Sequence, residues 1–233
     1  MNKIISLALL VFLSAISCAL ATARVSTTPQ TINFLNDVFD TNKHFYDQHD
    51  PKFFQEFKDT QSPHATHLGC ADSRVHMDSL DQTPDNDVFS IRNIGNQMAT
   101  SQGSIDYGVD VLKTPNLIII GHSGCGAIKA AISGKSTNIP AIDQELSTIK
   151  LSNKELNKAI VENINNQVNQ ALKRYHAKIS SGELTIIGMV YDFKNDFNTG
   201  YGRLILVNVN GVTDATMMKT AYTGKVTNIT YLP

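Results

Sequence analysis

Residues 116–133 read N-L-I-I-I-G-H-S-G-C-G-A-I-K-A-A-I-S. The run Leu117-Ile118-Ile119-Ile120 is apolar without alternation, the pattern of a strand covered on both faces, and such strands belong to parallel sheets flanked by helices. His122-Ser123-Gly124-Cys125-Gly126 breaks the run with two glycines that permit a tight turn. Ala127 to Ser133 then reads as a helix. Strand, turn and helix in direct succession are the building unit of an α/β domain.

Working outward, Ala65 to Gly69 and Val88 to Arg92 lie upstream, while Leu184 to Asp192 and Arg203 to Val207 lie downstream; all four read as further strands. Helices are expected near Ser101 to Leu112, Ala127 to Ser133 and Ile142 to Leu151. The clearest runs from Asn153 to about Ile179, where Leu156, Ile160, Ile164, Val168 and Leu172 recur on one face, and Ser180-Ser181-Gly182 ends it. The expected fold class is therefore α/β: a mainly parallel sheet of about four strands plus an edge strand, flanked by helices. Thr31 to Phe57, with Phe34, Phe39, Phe45, Phe53 and Phe54, forms an N-terminal helical arm outside the sheet. It either covers the domain's own core or packs on a neighbouring subunit. The tail from Asn208 to Pro233 carries no readable motif and is taken as an extension of the same domain that either extends the sheet edge or reaches another subunit.

The 233 residues carry a net charge of −1, with 42% hydrophobic and 18% charged residues. That balance supports one globular core, and the scattered Lys and Arg residues form no basic stripe for nucleic acid. At the N-terminus, Lys3 precedes an uncharged run from Ile4 to Leu20 and the small residues Ala21-Thr22-Ala23, the layout of a secretory signal peptide. Residues 1–23 are accordingly expected to be cleaved and the protein to be periplasmic or secreted. A retained membrane anchor is the alternative, but Ser14 and Ser17 break the apolar run; lipid attachment at Cys18 is another. The domain is then expected over residues 61–207, with the arm at 24–60.

Cleavage would leave Cys70 and Cys125 as one pair of cysteines in an oxidising compartment, where a disulfide is their ordinary fate. The H-x-x-C spacing of His122 and Cys125 favours a metal instead. Two thiolates and one imidazole suit zinc, and a four-coordinate zinc with three protein ligands keeps one position for chemistry. Cys70 and His122 both end strands, and ligands in open parallel sheets gather at those carboxyl ends. Asp72 and Arg74, one residue apart directly after Cys70, are placed to pair as a bidentate ion pair beside the metal.

Cys70-Ala71-Asp72-Ser73-Arg74-Val75 together with His122 to Ala130 resembles the β-class carbonic anhydrases. So do Gln61-Ser62-Pro63, Asp87 to Asn96 with its R-N-I-G-N end, Ser104 to Val109, and Gly188 to Asp192. The resemblance implies one zinc per chain on Cys70, His122 and Cys125, and a catalytic Asp72–Arg74 dyad. It further implies Gln61 as a hydrogen-bond donor to bicarbonate, and Phe89, Ile94 and Tyr107 as the wall of a small apolar carbon dioxide pocket. The activity implied is reversible hydration of carbon dioxide to bicarbonate and a proton by zinc-bound hydroxide that the dyad orients, in a homodimer or homotetramer. Carbon disulfide or carbonyl sulfide hydrolysis on the same framework, and a non-catalytic zinc- or bicarbonate-binding protein, are the alternatives. His64, His67 and His76 near the first motif are candidate proton carriers, with an ordinary surface or packing role as the alternative for each. Some members close the site by swinging the aspartate onto zinc, beside a pocket built with a tryptophan. His67 stands where that tryptophan would be, so an open site is expected.

Overall fold

The computed structural model describes residues 25–232, so the expected leader at residues 1–23 lies outside the described residues. The described residues fall into two compact units that meet in sequence between Phe54 and Gln55. In the first, α1 (Pro29–Gln48) starts where Pro29 has no N–H to satisfy and Thr28 Oγ1 accepts the Thr31 N–H at 3.2 Å. Asp50 plays the same part for α2 (Pro51–Gln55), accepting the Lys52 and Phe53 N–H groups at 2.8 and 3.2 Å. Between the helices, the His49 ring packs on Phe45 and Phe53 at 4.3 and 4.2 Å between centroids. No residue of α1 is buried. Among the described residues no helix is long and apolar enough to cross a membrane.

The second unit is built on a six-stranded sheet of β1 (Ala65–Cys70), β2 (Val88–Asn93), β3 (Asn116–His122), β4 (Thr185–Asp192), β5 (Arg203–Val209) and β6 (Thr230–Tyr231), in the order β2-β1-β3-β4-β5-β6. The first four are parallel, as their apolar runs predict. β5 turns back antiparallel to β4, and β6 pairs with β5 in parallel. Arg203 to Val207 is therefore not the edge on that side; Thr230–Tyr231 is. The tail reaches it through α8 (Ala215–Tyr222), whose start is capped by Asp214 accepting the Met217 N–H at 2.7 Å. Two residues carry no periodicity, which is why this strand has no trace in the sequence pattern.

The helices depart from their predicted spans for local reasons. The predicted helix from Ser101 to Leu112 is α3 (Gln102–Asp106) followed by a wider π turn, Tyr107–Val111. The widening brings Gly108 against β1, where a Cβ would stand 2.1 Å from Thr66 Oγ1. α4 (Gly126–Ser133) and α5 (Pro140–Leu146) follow, the latter starting at its proline and ending before the predicted Leu151. α6 (Leu156–Arg174) begins three residues later than predicted because the Glu162 carboxylate holds the N–H groups of Ser152 and Asn153 at 2.8 and 2.9 Å. It breaks at Tyr175, whose hydroxyl donates to Asp106 at 2.6 Å, and α7 (His176–Ser180) continues after the break.

The core lies between the sheet and α6. Ile160, Ile164 and Val168 face it as predicted, while Leu156 and Leu172 are only half-buried. Gly121 and Gly188 leave a notch on β3 and β4 for Ile164, whose side chain would stand 2.8 Å from a Cβ on either. Ala159 and Ala171 complete the apolar part of the buried helix face, and Asn163 and Gln167 are its polar part. Asn163 donates to Gly95 O at 3.0 Å, and Gln167 Oε1 accepts the Met98 N–H at 2.9 Å. These bonds tie the helix to the loop that leaves β2 for the site.

Candidate metal centre

From β1 the chain goes to β2 on one side, while from β3 it goes to β4 on the other. The connections diverge between β1 and β3, and that is where an open parallel sheet forms a crevice. Cys70 is the last residue of β1 and His122 the last of β3. Gly124, at φ +71°, turns the chain so that Cys125 caps α4. The Cys70, His122 and Cys125 ligand atoms then all lie within 4.8 Å of one another, and all three residues are buried.

The donor set fits a divalent metal. The two Sγ atoms are 4.0 Å apart and both thiols are free, about twice the length of a disulfide bond, so the disulfide reading does not hold. His122 Nδ1 sits 3.0 Å from Ser123 O, which fixes the proton on that nitrogen and turns Nε2 inward as an acceptor. Nε2 is fully buried and has no hydrogen-bond partner, a costly state that a metal ion would relieve. The two thiols are hydrogen-bond partners. Cys70 is lowered, chiefly by the hydrogen bond from Cys125 with help from His122 and the Gly95 backbone, against burial. Cys125 is raised by that same bond, by burial and by the negative charge on Cys70, despite the backbone N–H groups of Ile128 and Ala127. Releasing the second proton into a buried site needs a cation, and zinc takes this ligand set.

Beside the cluster, Arg74 grips Asp72 with Nε to Oδ1 at 2.8 Å and Nη2 to Oδ2 at 2.7 Å, and its own N–H adds a third bond at 3.0 Å. Those bonds hold the Asp72 carboxyl well below the usual carboxylate range. Asp72 Oδ2 lies 3.8 Å from His122 Nε2. Asp72 is thus an anion at the mouth of the cluster, with both oxygens engaged by Arg74.

Two features of the site escape the sequence reading. Arg92 donates to the carbonyls of Cys70 at 3.1 Å, Asp72 at 2.7 Å and Val75 at 2.6 Å, pinning the whole turn after β1. It stands in the R-N-I-G-N segment, whose position at a strand end is the signal that marks it. Phe193, next after β4, stacks on His122 at 5.9 Å and lies under Arg74 at 4.8 Å.

None of the remaining predicted residues bonds to the cluster through its side chain among the described residues. Gln61 is exposed ahead of β1 and forms no hydrogen bond among the described residues. Phe89 and Tyr107 meet each other at 5.7 Å, with Tyr107 44% exposed. Ile94 is half-buried, and its carbonyl accepts from Gln97 Nε2 at 2.8 Å. Of the histidines, His67 is 3% exposed and bonded to Ser90 Oγ at 3.0 Å; burial, then the charge of Arg92, lower it to about 4. It stays neutral near pH 7 and cannot carry the proton. His64 is exposed near Asp87, and His76 Nε2 bonds Ser73 O at 3.0 Å on the site's own turn.

The family model described as carbonic anhydrase matches residues 65–198. A carbonic anhydrase of Candida albicans is 31% identical over 195 residues, 72% of this chain and 66% of that protein, so the match spans just under two thirds of the relative. The structure of the β-carbonic anhydrase CcaA superposes with a TM-score of 0.67 at 20% identity, over 78% of this chain and 89% of that one. A second structure, one of two tetrameric β-carbonic anhydrases from Sordaria macrospora, gives 0.64 at 20% identity over 77% and 98%. At such identities the likeness is one of fold.

Proposed function

The chain belongs to the β-carbonic anhydrase family, and from that membership we propose that it hydrates carbon dioxide reversibly to bicarbonate and a proton. The observation that carries the proposal is the Cys70–His122–Cys125 cluster with an ionised Asp72 oxygen 3.8 Å from the orphaned His122 nitrogen. Cys70, His122 and Cys125 would hold one zinc, which when bound supplies Lewis acidity that lowers the pKa of a coordinated water toward about 7. Two thiolates weaken that acidity by neutralising the ion's charge, so the remaining help falls to the protein. Asp72 is anionic and fixed by Arg74, so it can accept a hydrogen bond from the attacking oxygen and aim its lone pair at the carbon. A carboxylate held in advance of the reaction costs no reorganisation when charge develops.

Gln61, Phe89, Ile94 and Tyr107 are proposed to bind substrate where two subunits meet. The half-exposed Tyr107 ring and the unbonded Gln61 side chain are open for that role within one chain. A homodimer or homotetramer follows from this reading, and a structural neighbour described as tetrameric supports it. Export to the periplasm or medium is proposed from Lys3 and the uncharged run to Leu20. N-terminal sequencing of the mature protein tests it directly.

The deciding experiment is stopped-flow carbon dioxide hydration on the purified full chain, with metal analysis of the same sample. The expected result is one zinc per chain and a hydration rate that a chelator abolishes and added zinc restores. A zinc-loaded protein with no activity would leave only a binding role.

A further inference from the structure

We propose that Phe193 is a positioning residue: its ring holds the Arg74 guanidinium in place and, through Arg74, keeps the Asp72 carboxylate off the metal and turned to the reacting oxygen. The inference rests on the carbonic anhydrase reading of the site.

The Arg74 side chain is 53% exposed. An arginine in that state has many rotamers to lose, and an ion pair open to solvent is weak support on its own. Arg74 needs a wall, and the Phe193 ring lies 4.8 Å from its guanidinium carbon, within cation–π range. The same ring lies 22° from coplanar with His122 at 5.9 Å. One side chain thus touches both a metal ligand and the partner of the catalytic carboxylate.

The ring is itself held. Asp192 is fully buried, and its carboxylate accepts the N–H groups of Asp196 and Phe197, both at 2.9 Å, closing the loop around residue 193. Lys194 N donates to Ser123 Oγ at 3.3 Å, and Ser123 N donates to Tyr191 O at 3.1 Å. These bonds stitch the loop to the turn between His122 and Cys125. Phe193 therefore keeps a constant relation to the metal ligands, and Arg74 takes its place from Phe193. With Asp72 Oδ2 3.8 Å from His122 Nε2, a carboxylate freed from Arg74 needs only a small movement to ligate the ion.

The test compares Phe193→Leu, Phe193→Tyr and Phe193→Trp in the zinc-loaded full chain. Leucine keeps the apolar contact and loses the ring face, whereas tyrosine and tryptophan keep both. The expected result is a fall in kcat of roughly 2- to 30-fold for Phe193→Leu, with KM and zinc content unchanged and with activity restored by the two aromatic variants. In an Arg74→Ala background, Phe193→Leu should have no further effect. Wild-type kcat in the leucine variant, or an equal loss in both backgrounds, would overturn the proposal.

A second readout does not depend on activity. With cobalt(II) in place of zinc, Phe193→Leu should change the visible spectrum as Asp72 joins the ion, and adding Asp72→Asn should reverse the change. An unchanged spectrum would overturn the proposal even where the wild type proved inactive, which is how failure of the functional reading would show itself.

Discussion

The two strand ends that make the metal centre are built in opposite ways. At the end of β3, His122 and Ser123 are fully buried, Cys125 is 1% exposed, and the ligands are placed by backbone: a left-handed glycine, a carbonyl on the imidazole, and the first N–H groups of α4. At the end of β1, Cys70 is 5% and Val75 4% exposed. Between them Ala71, Ser73 and Arg74 are exposed and Asp72 is partly so, and this turn is held by side-chain bonds from Arg74 and Arg92. The difference separates two tasks. On the proposed reading, the buried end would hold the ion, and the more open end would present a carboxylate to substrate and solvent.

If the β3 end is the holder, its loss should be the most damaging single change. His122→Ala removes the nitrogen that has no other partner and leaves only the two thiols. The variant should retain almost no zinc after dialysis and show no hydration above background, with far-UV circular dichroism unchanged because the sheet does not depend on the ring. Metal analysis and stopped-flow rates check this. Retained zinc with near-normal activity would break the division.

Asp72→Asn probes the open end and should separate holding from chemistry. Shape is kept while the charge proposed to orient the attacking oxygen is lost, so zinc content should stay at one per chain and kcat should fall roughly 10²- to 10³-fold, the usual scale for removing such a group. The same variant sharpens the acid response. Hydrogen bonds from Arg74 hold the Asp72 pKa below its unfolded value. Its contribution to stability is therefore complete above the unfolded pKa of about 3.9 and is lost as pH falls through the lower folded value. Thermal melts between neutral pH and acid should show the wild type losing part of its advantage over Asp72→Asn as protonation sets in.

The buried end was the more legible of the two, and the physical reason is locality. A strand, a turn with two glycines and a helix lie within one short segment, so periodicity and spacing report them without tertiary information. Cys70, Asp72 and Arg74 were legible for the same reason. Arg92 and Phe193 were not, because what they do depends on which strand lies beside which. Arg92 reaches the turn after β1 only because β2 pairs in register with β1, Gly69 opposite Arg92 and Cys70 opposite Asn93. Asn163 and Gln167 were missed because a buried amide looks like a surface residue in sequence, and only the loop facing it satisfies its hydrogen bonds. β6 was missed because a two-residue strand exists only through its partner.

The smallest expected effect gives the finest test of the contrast, and it is read in stability rather than rate. Gly121 directly precedes His122, and a Cβ there would stand 2.8 Å from Ile164 Cδ1 and 3.0 Å from its Cγ1, with Ile164 fully buried. Gly121→Ala must therefore shift Ile164 or the strand, and overpacking of this kind costs about 1–3 kcal/mol. Ser73, three residues after Cys70 in the turn that leaves β1, is exposed and its hydroxyl forms no hydrogen bond among the described residues. Ser73→Ala should change stability by less than about 0.5 kcal/mol. Denaturant melts of both variants decide the matter. Equal costs would mean that the two strand ends are supported alike, whereas a cost confined to Gly121 ties the rigidity of the β3 end to the side of α6 that packs behind it.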